Sequence, residues 1–166
     1  METILYSEII RRAVQVPNEK ARAKVVEIIA RRGKKHWHAG EVMIESGLID
    51  REGAFYPVDI FSGVMEEGDI VIKKYVKGRE TPKSKNPQFL SRLIKRSVED
   101  AEGQELGKIY DFELYAGSKP WIIWKVLVNP PGLNPAKRRL RIPTGSIDKI
   151  ESDRIYLSTK ITGADI

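Results

Sequence analysis

The sequence predicts a mainly β protein of the α+β class, with a small C-terminal β-barrel preceded by an N-terminal α+β domain. Between residues 97 and 158, short alternating apolar segments are separated by acidic-Gly and Pro-Gly turns, a pattern typical of small barrels. Residues 19–32 instead carry apolar side chains at helical spacing. A hydrophobic content of 41% in a chain of 166 residues is enough for a packed core.

Residues 1–77 are assigned to the N-terminal domain. Asn18 is placed to cap a helix and Gly33 to end one, so we expect a helix over about residues 19–32. Three strand-like segments follow, at residues 40–49, 54–61 and 70–76. A winged-helix-like arrangement is a weaker alternative. Equal numbers of acidic and basic residues in positions 1–76 argue against DNA binding by such a domain.

A basic linker at residues 78–91 is predicted to join this domain to the barrel, which spans about residues 92–160. The linker contains two prolines, Lys83 and Lys85, and little apolar content. We see no internal repeat long enough to indicate duplicated barrels. The sequence therefore predicts two unlike domains.

The barrel segment contains Glu102-Gly103, then Leu106-Gly107-Lys108-Ile109, and then Asp111. Gly103 suits a hairpin position with positive φ, and Gly107 suits a bulge or a close backbone approach. Asp111 is expected to be a structural polar residue that binds neighbouring backbone amides. Together with the order of the later strands, this motif resembles the PRC-barrel family.

The PRC-barrel resemblance covers the last 65 to 70 residues. The family includes the photosynthetic reaction-centre H subunit, a bacterial ribosome-maturation factor and archaeal cell-division proteins. Its members bind and position partners, so the resemblance implies a binding module and not a catalyst. The resemblance also implies an archaeal source, and the abundance of Lys, Arg and Glu favours a thermophilic one.

The formal net charge of +6 falls entirely within residues 77–166. A basic surface of this kind favours phosphate, anionic lipid or an acidic protein, although the charge could also serve only solubility. The densest basic run follows a proline-rich loop. The residues predicted to bind a partner through their charge are Lys137, Arg138, Arg139 and Arg141 of this run, Lys83 and Lys85 of the linker, and Lys34 and Lys35.

The segment from Trp121 to Val128 is predicted to be a strand that is apolar on both faces, with Trp121 and Trp124 on opposite sides. Either the N-terminal domain covers one face, or an aromatic patch is exposed to a protein or RNA partner. Both tryptophans are therefore candidate binding residues.

Catalysis and metal binding have little support. His36, His38 and Glu41 could share a metal ion. The chain has only these two histidines, however, and a metal site needs a defined number of ligands, so we favour histidines that bind no metal. The sequence has no cysteine, no Gly-rich phosphate loop and no nucleophile elbow, so we expect no cofactor and no enzyme activity. No apolar run is long enough to cross a bilayer and there is no secretory pattern, so a cytoplasmic location is expected.

The favoured function is a non-catalytic protein associated with RNA or a ribonucleoprotein, similar to a ribosome-maturation factor, that uses the basic residues on phosphate. The alternative is a protein–protein adaptor of the archaeal cell-division type, which would use the Trp121–Val128 face or a barrel edge. Homodimerisation through a strand edge is possible for either function.

Overall fold

A computed structural model of the chain describes residues 2–15, 23–46, 52–65, 67–74, 76–132 and 139–160. These residues form fourteen strands in one mixed sheet and two α-helices of a single turn each. The strands of the N-terminal half are β1 Ile4–Leu5, β2 Ala13–Gln15, β3 Ala23–Arg31, β4 Trp37–Ser46, β5 Glu52–Pro57, β6 Phe61–Ser62 and β7 Ile70–Ile72. The strands of the C-terminal half are β8 Gln88–Phe89, β9 Ser97–Glu99, β10 Glu105–Tyr115, β11 Trp121–Asn129, β12 Leu140–Pro143, β13 Ile147–Ile150 and β14 Arg154–Leu157. The helices are α1 Tyr6–Ile9 and α2 Leu90–Leu93.

The two halves of the chain have the same order of elements. Each half runs from a two-residue strand through a single helical turn and four strands to a 3₁₀ turn and two final strands. The 3₁₀ turns are Val58–Ile60 and Thr144–Ser146. We refer to residues 4–72 as the first repeat and residues 88–157 as the second repeat. The expectation that the chain has no internal duplication is therefore wrong.

The repeat extends to the register of the strands. In most of the chain an offset of 84 positions relates equivalent residues, such as Trp37 and Trp121. The β3–β4 pair has a bulge between Val25 and Glu27, and the β10–β11 pair has the equivalent bulge between Ile109 and Asp111. Because a bulge is a local departure from regular pairing, its recurrence at equivalent positions marks one architecture used twice.

The repeats meet through an antiparallel pairing of β4 with β11. Trp37 pairs with Ile123, His38 with Ile122, and Ala39 with Trp121. His38 and Ile122 are themselves equivalent positions, so the pairing has a pseudo-two-fold axis at this residue pair. The sheet continues from one repeat into the other without a break.

The first segment of each repeat also pairs with a strand of the other repeat. The first hook, residues 4–9, comprises β1 and α1, and its strand pairs with β10 of the second repeat. The second hook, residues 88–93, comprises β8 and α2, and its strand pairs with β3 of the first repeat. Most of the buried apolar residues of both repeats form one continuous cluster. The described residues therefore show no separate N-terminal α+β domain.

The helix predicted over residues 19–32 is wrong where the structure describes that segment, because residues 23–31 form strand β3. Residues 19–22 lie outside the described part. The bulge between Val25 and Glu27 explains the error, since it shifts the inward alternation by one residue. Val25 and Ile28 are both fully buried, and their spacing imitates a helical face.

The mainly β character predicted from the sequence is confirmed, but the described strands do not form a closed barrel. In the second repeat the strand order is β12-β11-β10-β9-β14-β13. The end of the predicted linker already belongs to this repeat, since Gln88 and Phe89 form β8 and Leu90 begins α2. The domain boundaries at residues 77 and 92 stay a prediction. Among the described residues, no helix has the length and apolar character required to span a membrane.

Candidate nucleic-acid interface

A basic cleft of about 880 Å³ lies beside the junction of the two repeats. Strands β3 and β4 and the connector arm, residues 76–85, contribute most of its lining residues. Pro120, the residue immediately before β11, brings the second repeat to the edge of the cleft. Its basic side chains come from these separate segments and are Arg31, His38, Lys77, Arg79, Lys83 and Lys85.

The connector arm is fixed to the first repeat at two places. The backbone N–H and C=O groups of Arg79 exchange hydrogen bonds of 2.9 and 2.8 Å with Phe55 of β5. Further along, the carboxylate of Glu41 accepts the backbone N–H of Lys83 at 3.0 Å and that of Ser84 at 3.4 Å. These bonds hold the part of the arm from which Lys83 and Lys85 line the cleft.

The electrostatics of the cleft favour an anion. Five Lys and Arg residues line it, and Glu41 is the one carboxylate among the lining residues that the structure describes. All five of these basic residues are exposed. Burial, followed by the charges of His36 and Arg31, lowers the pKa of His38 below its ordinary value, so its ring is mainly neutral at pH 7. A bound phosphate would favour the protonated ring and so recruit one more positive charge.

The fold itself does not require these charges. The second repeat has the same backbone at the equivalent strand positions, where Tyr115 stands in place of Arg31 and Ile122 in place of His38. Lys125 stands in place of Glu41. The two repeats share register and bulges although their side chains differ at these positions. The basic residues of the cleft are therefore not needed to form this architecture, and they are specific to the first repeat and its connector arm.

The structure brings only some of the predicted basic residues to this cleft. Lys83 and Lys85 line it, whereas Lys137 and Arg138 lie outside the described residues. Lys34 and Lys35 are exposed in the turn between β3 and β4. There the carbonyl of Lys35 approaches the 3₁₀ turn of the second repeat so closely that a Cβ on Gly145 would lie 2.2 Å from its oxygen.

Arg139 and Arg141 contact groups within the second repeat. The guanidinium of Arg139 lies 4.9 Å from the ring centroid of Tyr110. Arg141 donates two hydrogen bonds of 2.8 Å to the carboxylate of Glu113, and this bidentate pair raises the pKa of Arg141. A phosphate would have to compete with Glu113 for Arg141, which makes this arginine a weaker ligand for RNA than the sequence alone predicts.

The two tryptophans predicted to bind a partner differ in exposure. Trp121 is 1% exposed and its ring lies 6.2 Å from that of Phe61, so it belongs to the core and is not accessible to a partner. Trp124 lies on the opposite face of β11 and is partly exposed. The Trp121–Val128 face therefore offers one accessible tryptophan.

The three residues of the predicted structural motif have structural contacts. Gly103 has a φ of +82° in the turn before β10. Gly107 has a φ of +133°, and a Cβ there would lie 1.8 Å from the carbonyl oxygen of Asn129 on β11. Asp111 is buried and accepts the backbone N–H groups of Phe112 at 2.9 Å and of Ser7, in the first hook, at 3.0 Å.

The three candidate metal ligands do not point to a common site. The His36 and His38 rings are 4.8 Å apart, but Glu41 uses its carboxylate on the connector arm. Within the described ranges, no group of three or more His, Cys, Asp or Glu side chains is arranged to hold a metal ion.

Sequence reasoning missed Arg31, Lys77 and Arg79, which belong to the same cleft as Lys83 and Lys85. The signal that could have identified Arg31 is the repeat, since aligning the two halves shows a charge where the second copy has Tyr115. A comparison with models of known protein families gives no match, and neither does a comparison with curated protein sequences.

Proposed function

We propose that this protein associates with RNA or a ribonucleoprotein without catalysing a reaction, and that the basic cleft binds phosphates of the RNA backbone. The observation that supports this most directly is the convergence of five Lys and Arg side chains from separate segments on a single cleft. Phosphate contacts of this kind supply most of the affinity in non-specific nucleic-acid binding.

The resemblance of the second repeat to PRC barrels supports the same proposal, because that family positions partners. The Glu102-Gly103 and Leu106-Gly107 motif, together with Asp111, carries that resemblance. We propose that the repeat is a PRC-barrel-like module and that the protein acts in the cytoplasm of an archaeon, in a role similar to ribosome maturation. The adaptor alternative has less support. Of the two tryptophans that it would use to contact a partner, Trp121 is buried.

Fluorescence anisotropy with a labelled single-stranded U10 RNA tests the proposal. If about five phosphates are neutralised, the slope of log K against log salt concentration should be roughly −3.5 for a single strand. The double variant Arg31→Gln, Arg79→Gln should lose affinity at least about tenfold and flatten the slope by roughly 1.4.

The matched control is Lys24→Gln, Lys108→Gln. These two lysines are exposed, occupy equivalent positions in the two repeats and do not line the cleft. Equal losses in both double variants would mean that the net charge attracts RNA without a site. No binding by the wild-type protein, or recovery of one protein partner from lysate regardless of nuclease treatment, would contradict the proposal and favour an adaptor.

A further inference from the structure

The outer face of the sheet continues from the basic cleft into the second repeat. His38, which lines the cleft, lies directly opposite Ile122 in the pairing of β4 with β11. Residues directly opposite in an antiparallel pair have side chains on the same face. The outer face of β11 is therefore continuous with the face of β4 that carries His38.

This face carries a row of four side chains across four neighbouring strands. Arg31 of β3 pairs with His38 of β4, His38 with Ile122 of β11, and Ile122 with Tyr115 of β10. Strands lie about 4.8 Å apart, so the row spans about 14 Å from a cation at one end to an aromatic ring at the other. The change from basic to aromatic occurs at the pseudo-two-fold axis.

Trp124 extends the aromatic side of the row. It lies two residues after Ile122 on the same strand, at the bulge where Lys125 pairs with Glu113 and Ile123 pairs with Leu114. Ile122 and Trp124 are both partly exposed and Ile123 between them is buried, so both lie on the outer face. The equivalent position in the first repeat is Gly40, which lines the cleft. The first repeat thus has no side chain at this position in the cleft, and the second repeat has an indole at the equivalent position.

We propose that Trp124, with Ile122 and Tyr115, forms a stacking platform for unpaired bases of the strand whose phosphates occupy the basic cleft. The ligand of the site is then single-stranded RNA, since bases in a duplex are stacked on each other and cannot lie on a protein ring. A positively charged groove beside aromatic side chains is the arrangement that single-strand binders use. This inference rests on the proposed function and specifies its ligand.

The test compares two probes of equal length: U10 RNA and a ten-unit abasic ribose-phosphate strand with the same backbone charge. Trp124→Leu should weaken binding of U10 roughly 5- to 160-fold, the range expected for losing one stacked base, and leave binding of the abasic strand unchanged. Tyr156→Leu is the control, because Tyr156 is a partly exposed aromatic on β14, three strands away from β11 in the sheet order. Its affinity for both probes should equal that of the wild-type protein.

Tryptophan fluorescence of the wild-type protein provides a readout that needs no variant. Trp37 and Trp121 are 0% and 1% exposed, so quenching by a stacked base reports on Trp124. U10 should quench the emission and the abasic strand should not. Trp124→Phe, which preserves an aromatic ring, should abolish the quenching and lower U10 affinity less than threefold.

The outcomes separate the two proposals. If both probes bind the wild-type protein equally well and U10 causes no quenching, the stacking platform is wrong and the phosphate cleft stands. If neither probe binds, the proposed function fails as well. Binding of duplex RNA with the same affinity as U10 would also overturn the assignment of a single-stranded ligand.

Discussion

Glu27 and Asp111 occupy equivalent positions in the two repeats, and each carboxylate binds the hook that arrives from the other repeat. Asp111 accepts the backbone N–H of Ser7 at 3.0 Å and also its hydroxyl. Glu27 accepts the backbone N–H of Ser91 at 3.1 Å and likewise its hydroxyl. Ser7 and Ser91 are equivalent as well, so one pair of contacts, used reciprocally, joins the two halves.

The hook contacts predict a measurable coupling across the repeats. Ser7→Ala should lower the free energy of unfolding by about 1 kcal/mol, and Asp111→Ala by about 2–4 kcal/mol, because the second change leaves amide groups without an acceptor. Urea denaturation of both single variants and the double variant gives the coupling energy, which should be about 1 kcal/mol. Ser62→Ala, within the first repeat, should change stability by less than about 0.5 kcal/mol. Additive effects of Ser7→Ala and Asp111→Ala would contradict the contact.

The two glycines of the PRC-like motif predict unequal costs of substitution. In Gly107→Ala the new methyl group would meet the backbone of Asn129 at 1.8 Å, so β10 and β11 must separate locally. In Gly103→Ala the nearest atom is a carboxylate oxygen of Glu99 at 3.4 Å, and the main cost is the positive φ. Thermal unfolding should show a loss of roughly 3 kcal/mol or more for Gly107→Ala and about 1 kcal/mol for Gly103→Ala. Equal losses would show that β10 and β11 separate at little cost.

His38 predicts that RNA binding strengthens in mild acid. Its pKa is lowered below the ordinary 6.5 by burial and by the charges of His36 and Arg31, so the ring is mainly neutral at pH 7.5 and gains its proton only at more acidic pH than an ordinary histidine. The protonated ring attracts phosphate, so the affinity for U10 without a terminal phosphate should rise at least about threefold between pH 7.5 and 5.5. His38→Gln should remove this rise, and His36→Gln should preserve it. A pH profile unchanged by His38→Gln would exclude His38 from the site.

Glu41 predicts opposite effects for two substitutions. Glu41→Gln keeps an oxygen that can accept the N–H of Lys83 but removes the negative charge from the cleft, so U10 should bind about two- to fivefold more tightly. Glu41→Ala also removes the acceptor, so the arm that carries Lys83 and Lys85 loses one of its two anchors. Limited proteolysis should cut the arm faster in Glu41→Ala than in Glu41→Gln. Weaker binding by Glu41→Gln would show that its charge does not oppose the ligand.

Parts of this fold could be read from the sequence because they depend on local chemistry. Glycine at positions 103 and 107 reflects backbone geometry, and the alternation of buried and partly exposed residues from Trp121 to Trp124 places the two tryptophans on opposite faces. The duplication was missed because few residues are identical at the 84-residue offset, and they are scattered among positions that share only burial. Strand β3 was mistaken for a helix because its bulge breaks the two-residue period on which strand prediction depends.

The cleft was harder to predict for a different reason. Arg31, Arg79 and Lys83 are dispersed over more than fifty positions and are brought together by the bridge between Phe55 and Arg79 and by the carboxylate of Glu41. Neither contact has a sequence signature. The sequence pattern instead favours the dense basic run at residues 137–141, although Arg141 is paired with Glu113.

The exchanged hooks have a consequence for how a nascent chain acquires this fold. The hydrogen bonds between Ser7 and Asp111 can form only after 104 further residues have been synthesised, and those between Glu27 and Ser91 only after 64 further residues. During translation the first repeat therefore emerges with the edge of β3 unpaired where β8 will bind, and its own hook has no site until β10 has been made. Contacts so distant along the chain slow folding. Both halves thus mature together, late in synthesis, and a chain interrupted after the first repeat exposes a strand edge to its neighbours.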